Sequence, residues 1–346
     1  MNAMIVNYSG VGDGIVEFPY LKSMEQTVQG LNYYHTSGLL FKHQAFMELA
    51  NLRACRGLIP EEWRKFRSGD WGAILDFLEL HRINIILNLR INGPDYNQEY
   101  VNFKMRFQDR IDFWDFTLGI APFDVGSIRQ RMTALFRSKN AINDPFNRHA
   151  LGEIVPRTLP TIRRRIGISI HSGSHFKLWP MEKWRALCLN LAAQGFTITV
   201  FAGYTDQEKS TSFCLVNELN DVIPNSATLF YAHDIVDILN YFPCIECLVS
   251  TDSWMVHAAT ATRINVVGLY VVTSSKVWGG DDGYSWPVES HHLASCENFD
   301  PHLGICRNHY TACRLLRDGG DGIEVEDVLA RFVQAQQSKN ANRISE

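Results

Sequence analysis

The chain has 346 residues, 46% of them hydrophobic and 20% charged, a globular composition at a length that calls for two domains rather than one. A formal net charge of −4 excludes a nucleic-acid binder held by bulk charge, and no apolar run approaches the roughly 20 residues that a membrane-spanning helix needs. Eight cysteines in so long a chain, behind an amino terminus without an export signal, read as cytoplasmic thiols rather than a disulfide framework.

In chain order, MIVNYS (4–9) predicts a buried strand, and the segment from Gly14 to about Gly30 predicts a helix. Between them SGVGDGIVEFP (9–19) sets Gly10, Gly12 and Gly14 around Asp13. A carboxylate there either caps the helix or does chemistry, and the segment alone favours the cap. INIILNLR (83–90), nearly continuous in Ile and Leu, predicts a second strand. EIVPRTLPTIRRR (153–165) joins two prolines to a charge run and predicts the domain boundary, so that the domains are 1–155 and 166–320.

The second half alternates cleanly. IGISIHSG (166–173), FTITVFAG (196–203), ECLVSTDS (246–253) and NVVGLYV (265–271) predict strands. PMEKWRALCLNLAAQG (180–195), with Pro at its start and Gly at its end, predicts a helix,. TDQEKSTSFCLVNELN (205–220) and WMVHAATATR (254–263) are helical as well. Strands alternating with helices give an α/β protein with parallel sheets covered on both faces. The last segment, 321–346, holds the helical pattern EVEDVLARFVQAQQ (324–337) and a polar tail.

Three predicted strand ends carry small and polar residues, and in open parallel sheets ligands bind at the carboxyl ends of strands. HSGSHFKLWP (171–180) either offers Ser172, Gly173 and Ser174 for close backbone approach and Lys177 for a diphosphate, or is an ordinary loop with an exposed lysine, which the stretch alone favours,. In FAGYTDQE (201–208), Thr205 or Asp206 serves as a helix cap, or Asp206 or Glu208 accepts from ribose hydroxyls,. In STDSWMVHAATAT (250–262), Asp252 and Ser253 fall where a strand becomes a helix, whose free N–H groups suit a phosphate,. His257 follows on that helix, as a core histidine or as a ligand-binding one.

Together these stretches resemble glycosyltransferase family 9, the ADP-heptose:lipopolysaccharide heptosyltransferase family. SGVGDGIVEFPYLKSM (9–24) is similar to its amino-terminal signature, INIILNLR (83–90) to a strand ending in Leu-Arg, IHSGSHFKLWPMEKWRAL (170–187) to its phosphate loop, and VSTDSWMVHAATATRINVVGLY (249–270) to its Asp-Ser/Thr-Gly-x-x-His stretch. The resemblance implies a GT-B fold: two Rossmann-like domains with parallel sheets facing each other across a cleft. The amino-terminal domain would take the acceptor and the carboxyl-terminal domain the nucleotide-sugar donor, and the last helix would return to the first domain. It further implies inverting transfer that needs no metal. Asp13 matches the catalytic base, with Gly12 and Gly14 in the loop near the acceptor. Lys177 matches the phosphate-binding lysine, Asp252, Ser253 and His257 match the donor motif, and Thr205 and Asp206 lie near the ribose-binding position.

Two features depart from that pattern. Trp254 stands where the family has glycine, which opens a donor other than ADP-heptose as the alternative. NLRACRGLIPEEWRKFR (51–67) carries Arg53, Arg56, Arg64, Lys65 and Arg67, read as a solvated helical face, so the acceptor is a glycan, a protein or a small molecule. The expected function is heptosyl transfer from a nucleotide-activated donor to a hydroxyl or amine; a non-catalytic nucleotide-binding protein of the same fold is the remaining alternative. Cys296, Cys306, His309 and Cys313 form C-x9-C-x2-H-x3-C, read as structural thiols, with a metal site as the minority reading. CIEC (244–247) reads as core packing, and VWGGDDGYSWP (277–287) as a loop that either closes over the donor or lies on the surface.

Overall fold

The computed structural model describes residues 1–346 apart from 7–10, 37–42, 60–70, 90–97, 117–125, 145, 148, 156–161, 281–282, 302, 307–321 and 346. The chain divides into two compact units, Met1–Ile154 and Val155–Glu346. Among the described residues no helix is long and apolar enough to cross a membrane.

In the first unit the elements run β1 (Asn2–Val6), α1 (Val11–Thr27), β2 (Asn32–Thr36), α2 (Gln44–Ala50), β3 (Cys55–Ile59), α3 (Gly72–Leu80), β4 (Ile85–Asn88), α4 (Gln98–Phe107), β5 (Asp112–Asp115), α5 (Ile128–Ser138) and α6 (Ala150–Ile154). The strands form one sheet in the order β3-β2-β1-β4-β5, parallel throughout. The order reverses between β1 and β4, so α1 begins at the end of the sheet where open parallel sheets bind ligands. α1 begins three residues before the predicted start, which places Gly12, Asp13 and Gly14 inside its first turn. The expected acceptor-side loop at Gly12 and Gly14 is therefore corrected to helix. Asp13 gains there by lying close to the positive end of the helix dipole.

The 51–67 stretch is likewise corrected. Cys55–Ile59 is a strand, with Arg56 hydrogen-bonded to Asn32 of the neighbouring strand. Arg64, Lys65 and Arg67 lie outside the described residues.

The second unit runs β6 (Arg165–Ser169), α7 (Met181–Ala193), β7 (Thr197–Phe201), α8 (Asp206–Val222), β8 (Ala227–Phe230), α9 (Ile235–Tyr241), β9 (Cys247–Thr251), α10 (Trp254–Ala261), β10 (Asn265–Tyr270), α11 (Ser275–Trp278), β11 (Ser285–Glu289), a short hairpin β12 (Phe299–Asp300) and β13 (Ile305–Cys306), and α12 (Val325–Ser345). Its main sheet, β11-β10-β9-β6-β7-β8, is parallel in every pairing. β9 and β10 are buried along their whole length, as strands covered on both faces must be, which explains their largely apolar sequence. Cys244 and Cys247 are buried in this unit, in keeping with packing rather than redox chemistry. The 277–287 stretch is not one loop: it starts in α11 and ends in β11.

The last helix departs from expectation. Val328, Phe332 and Ala335 share one face and lie in the core of the second unit. Asn265 Nδ2 donates to the Ala335 carbonyl at 2.8 Å. Ahead of the helix, Trp179 Nε1 and Lys183 Nζ donate to the Ile323 carbonyl at 3.1 and 2.8 Å. The expected return to the first domain is thus replaced by packing within the second.

Candidate active site

In the second unit the strand order reverses between β6 and β9, and the polar residues predicted after those two strands meet there. A single turn of 3-10 helix, His175–Lys177, carries Lys177 so that its Nζ lies 2.7 Å from Asp252 Oδ2. Thr273, beyond the end of β10, donates its hydroxyl to the same oxygen at 2.6 Å. Ser172 Oγ donates to the Asp252 carbonyl at 3.0 Å, and Thr251 Oγ1 to the His171 carbonyl at 2.8 Å. The Asp252 N–H donates to Leu269 O at 2.9 Å. Side chains and backbone from three strand ends thus fix one carboxylate.

Asp252 is 3% exposed. Burial by itself would push its carboxyl up. The Lys177 charge and hydrogen bond, the Thr273 hydroxyl and the nearby His257 outweigh burial and hold it below its ordinary value,. Lys177 spends one of its three N–H donors on Asp252 and remains partly exposed, which leaves donors for an anion. Gly173 is exposed, and a Cβ built on it would meet nothing within 4 Å, so no packing inside the protein requires glycine there.

Ser253 precedes α10 in extended conformation, yet its side chain makes no capping hydrogen bond. Its Oγ instead lies 3.3 Å from Ser250 Oγ. The first-turn N–H groups of α10 are therefore not capped by that hydroxyl. Trp254 is the first helical residue and is half-buried, while His257 is buried one turn on.

Thr205 and Asp206 do not join this cluster. Thr205 forms a capping box with Glu208 at the start of α8,. Its hydroxyl accepts from the Glu208 N–H at 3.2 Å, and Glu208 Oε2 accepts from the N–H groups of Tyr204 and Thr205 at 3.0 and 2.9 Å. Gly203 allows that packing, since a Cβ there would sit 2.2 Å from Glu208 Cβ. Asp206 points into solvent beside Lys209.

Thr273 is the member that sequence reasoning missed. Its signal was the same as for the others: a hydroxyl residue directly after an apolar strand, in VVTSS (271–275).

In the first unit Asp13 lies half-buried in the first turn of α1. One turn further, Glu17 Oε1 lies 2.9 Å from His35 Nε2 of β2, and both side chains are fully buried.

Of the four-residue cysteine and histidine pattern, Cys296 and Cys306 come together, with Sγ atoms 4.0 Å apart at the short hairpin. His309 and Cys313 lie outside the described residues. Among the described residues no group of three or more His, Cys, Asp or Glu is placed to hold a metal ion.

Residues 135–301 match the model for glycosyltransferase family 9 (heptosyltransferase). No curated protein sequence matches the chain significantly. Solved structures with a similar fold include the Escherichia coli heptosyltransferase WaaC with ADP, 14% identical, with a TM-score of 0.61 over 97% of this chain and 100% of that one. The E. coli ADP-heptose lps heptosyltransferase II is 13% identical, with a TM-score of 0.60 over 98% and 100%. The dodecameric iron-containing heptosyltransferase TibC of enterotoxigenic E. coli, in complex with ADP-D-beta-D-heptose, is 14% identical, with a TM-score of 0.57 over 97% and 76%. Residues 135–301, which match the glycosyltransferase family 9 model, hold every second-unit residue of the cluster, and the chain has the α/β fold with parallel sheets that these heptosyltransferase structures share.

Proposed function

We propose that the protein is an inverting glycosyltransferase that moves a heptose from a nucleotide-activated donor, ADP-heptose, to a hydroxyl or amine of a glycan or small-molecule acceptor. The observation that carries this reading is the buried Asp252 held by Lys177 and Thr273 at the switch point of the second sheet, beside the start of α10. Lys177 and the first-turn N–H groups of α10 meet the donor diphosphate, and Asp252 faces the donor sugar. Asp13 removes the acceptor proton. The acceptor oxygen or nitrogen then attacks the anomeric carbon on the side opposite the diphosphate, the bond from that carbon to the diphosphate oxygen breaks, and the nucleoside diphosphate leaves with the electron pair. Charge growing on the leaving group is met by Lys177 and the α10 dipole, so the reading calls on no metal for transfer. ADP in WaaC and ADP-heptose in TibC support the choice of donor. A cytoplasmic setting suits free thiols such as Cys188 and Cys214.

Trp254 favours a second reading, in which the donor is another nucleotide sugar. An indole at the first helical residue limits the backbone's approach to phosphate where glycine would admit it. One experiment separates the two: mass spectrometry of products formed from ADP-heptose, and from UDP- and GDP-hexoses, over a panel of acceptors. The expected product is acceptor plus one heptose, with ADP released. Transfer only from a UDP- or GDP-hexose would overturn the choice of donor.

A further inference from the structure

We propose that the buried Glu17–His35 pair is a positioning device that clamps the first turns of α1 to β2 and so aims Asp13. The inference rests on the reading of Asp13 as the base.

α1 is joined to β2 at two places. Tyr33 and His35 are two residues apart on β2 and so project to the same face of the sheet. Tyr33 donates its hydroxyl to Glu25 Oε1 at 3.3 Å, and His35 Nε2 lies 2.9 Å from Glu17 Oε1. The Glu25 tether sits near the far end of α1. Its carboxylate also accepts from the backbone N–H groups of Arg53 and Ala54 at 3.1 and 2.8 Å, a structural use that accounts for it. The Glu17 tether sits at the carboxyl end of the sheet, where the ligand end of a parallel sheet lies.

Stability alone does not account for this second tether. Glu17 and His35 are both fully buried, and Glu17 is flanked on α1 by the buried Val16 and Phe18. Burying two ionisable groups is expensive, and an apolar pair of similar volume is often neutral or more stable. What the pair does provide is direction. Asp13 precedes Glu17 by four residues, so the two share a face of α1 one turn apart.

The turn that holds Asp13 is also weak by itself. Gly12 and Gly14 flank it, and each glycine in a helix interior costs about 1 kcal/mol relative to alanine. The first N–H groups of a helix have no partner within it. Glu17, clamped to β2 one turn on, adds a fixed point to that turn.

The test compares backbone deuterium exchange and turnover of ADP-heptose in the full chain. Glu17→Ala should speed exchange over residues 11–17 by about 10-fold or more, with residues 23–27 unchanged, whereas the double variant Glu17→Leu/His35→Leu should stay folded with exchange near that of the starting protein. In both, kcat should fall by about 10–100-fold while the Kd for ADP stays within about twofold. Glu17→Gln keeps a hydrogen bond to His35 and should keep both exchange and kcat within about threefold of the starting protein. Unchanged exchange over 11–17 in Glu17→Ala, or a folded leucine pair with normal kcat, would overturn the inference. If the leucine pair fails to fold, the contrast between Glu17→Ala and Glu17→Gln decides. Normal turnover in Asp13→Asn would instead overturn the base assignment, and the exchange measurement still reads the clamp.

Discussion

In the second unit Asp252 is 3% exposed and held by Lys177 and Thr273. In the first unit Asp13 is half-buried in a helix turn between two glycines. The first arrangement is densely hydrogen-bonded. Loops from three strand ends converge on one carboxylate, and the surrounding core of β6, β9 and β10 is continuous and apolar. The second lies one turn before the buried Glu17–His35 pair proposed to position it. The contrast fits a division of labour: a diphosphate is best met by fixed donors that need not reorganise, whereas a base must meet an acceptor that arrives separately.

The comparison can be broken most sharply at Asp13. Asp13→Asn should lower kcat by about 10²–10⁴-fold, the usual worth of a general base, and leave ADP binding unchanged. Loss of ADP affinity in that variant would mean that the two units do not divide donor and base in this way.

A smaller effect is expected in the hydrogen-bonded network. Asp252→Asn removes one partner of a buried pair and should destabilise the protein by roughly 3 kcal/mol, the low end for such a change because Lys177 can still reach water. Denaturant unfolding measures it; a loss below about 1 kcal/mol would place the pair among surface ion pairs.

The same carboxylate gives the fold a pH dependence. It is held below its ordinary value in the folded protein, so it binds a proton less readily folded than unfolded. Its stabilisation is therefore complete above the ordinary aspartate value of about 4 and is lost as pH falls through the lowered one. The urea midpoint should decline with acidification below about pH 4, and less steeply in Asp252→Asn.

The smallest effect separates a cap from a ligand. Thr205→Ala should cost about 1 kcal/mol of stability, as loss of a helix cap does, without altering ADP affinity. A clear loss of affinity would return Thr205 to the donor site.

What was legible in the sequence follows the same division. β4, β6, β7, β9 and β10 are predominantly apolar because both faces are covered,, and the helices between them carry their own punctuation. Lys177 and Asp252 were legible as polar residues closing such runs, although nothing in the sequence gave their 2.7 Å contact. β2 and β5, written NYYHT and DFWD, mix polar and aromatic residues and carry no such signal. In β2 the polar residue His35 is buried because Glu17 of α1 meets it, a partnership 18 residues away in sequence. The start of α1 was misplaced because glycines suggest a loop, whereas here the helix opens through them. The packing of α12 was ambiguous because one apolar face suits either sheet; contacts to Asn265 and the second core decide it.

The central claim, that the Lys177–Asp252 cluster is where the donor nucleotide binds, is tested most directly by isothermal titration of ADP into the protein and into Lys177→Gln. Glutamine keeps a donor for Asp252 but removes the positive charge. The account predicts measurable binding to the unaltered protein and a loss of about 10-fold or more in the variant, the worth of a charge-assisted hydrogen bond to phosphate. Equal affinity in the two proteins would contradict it.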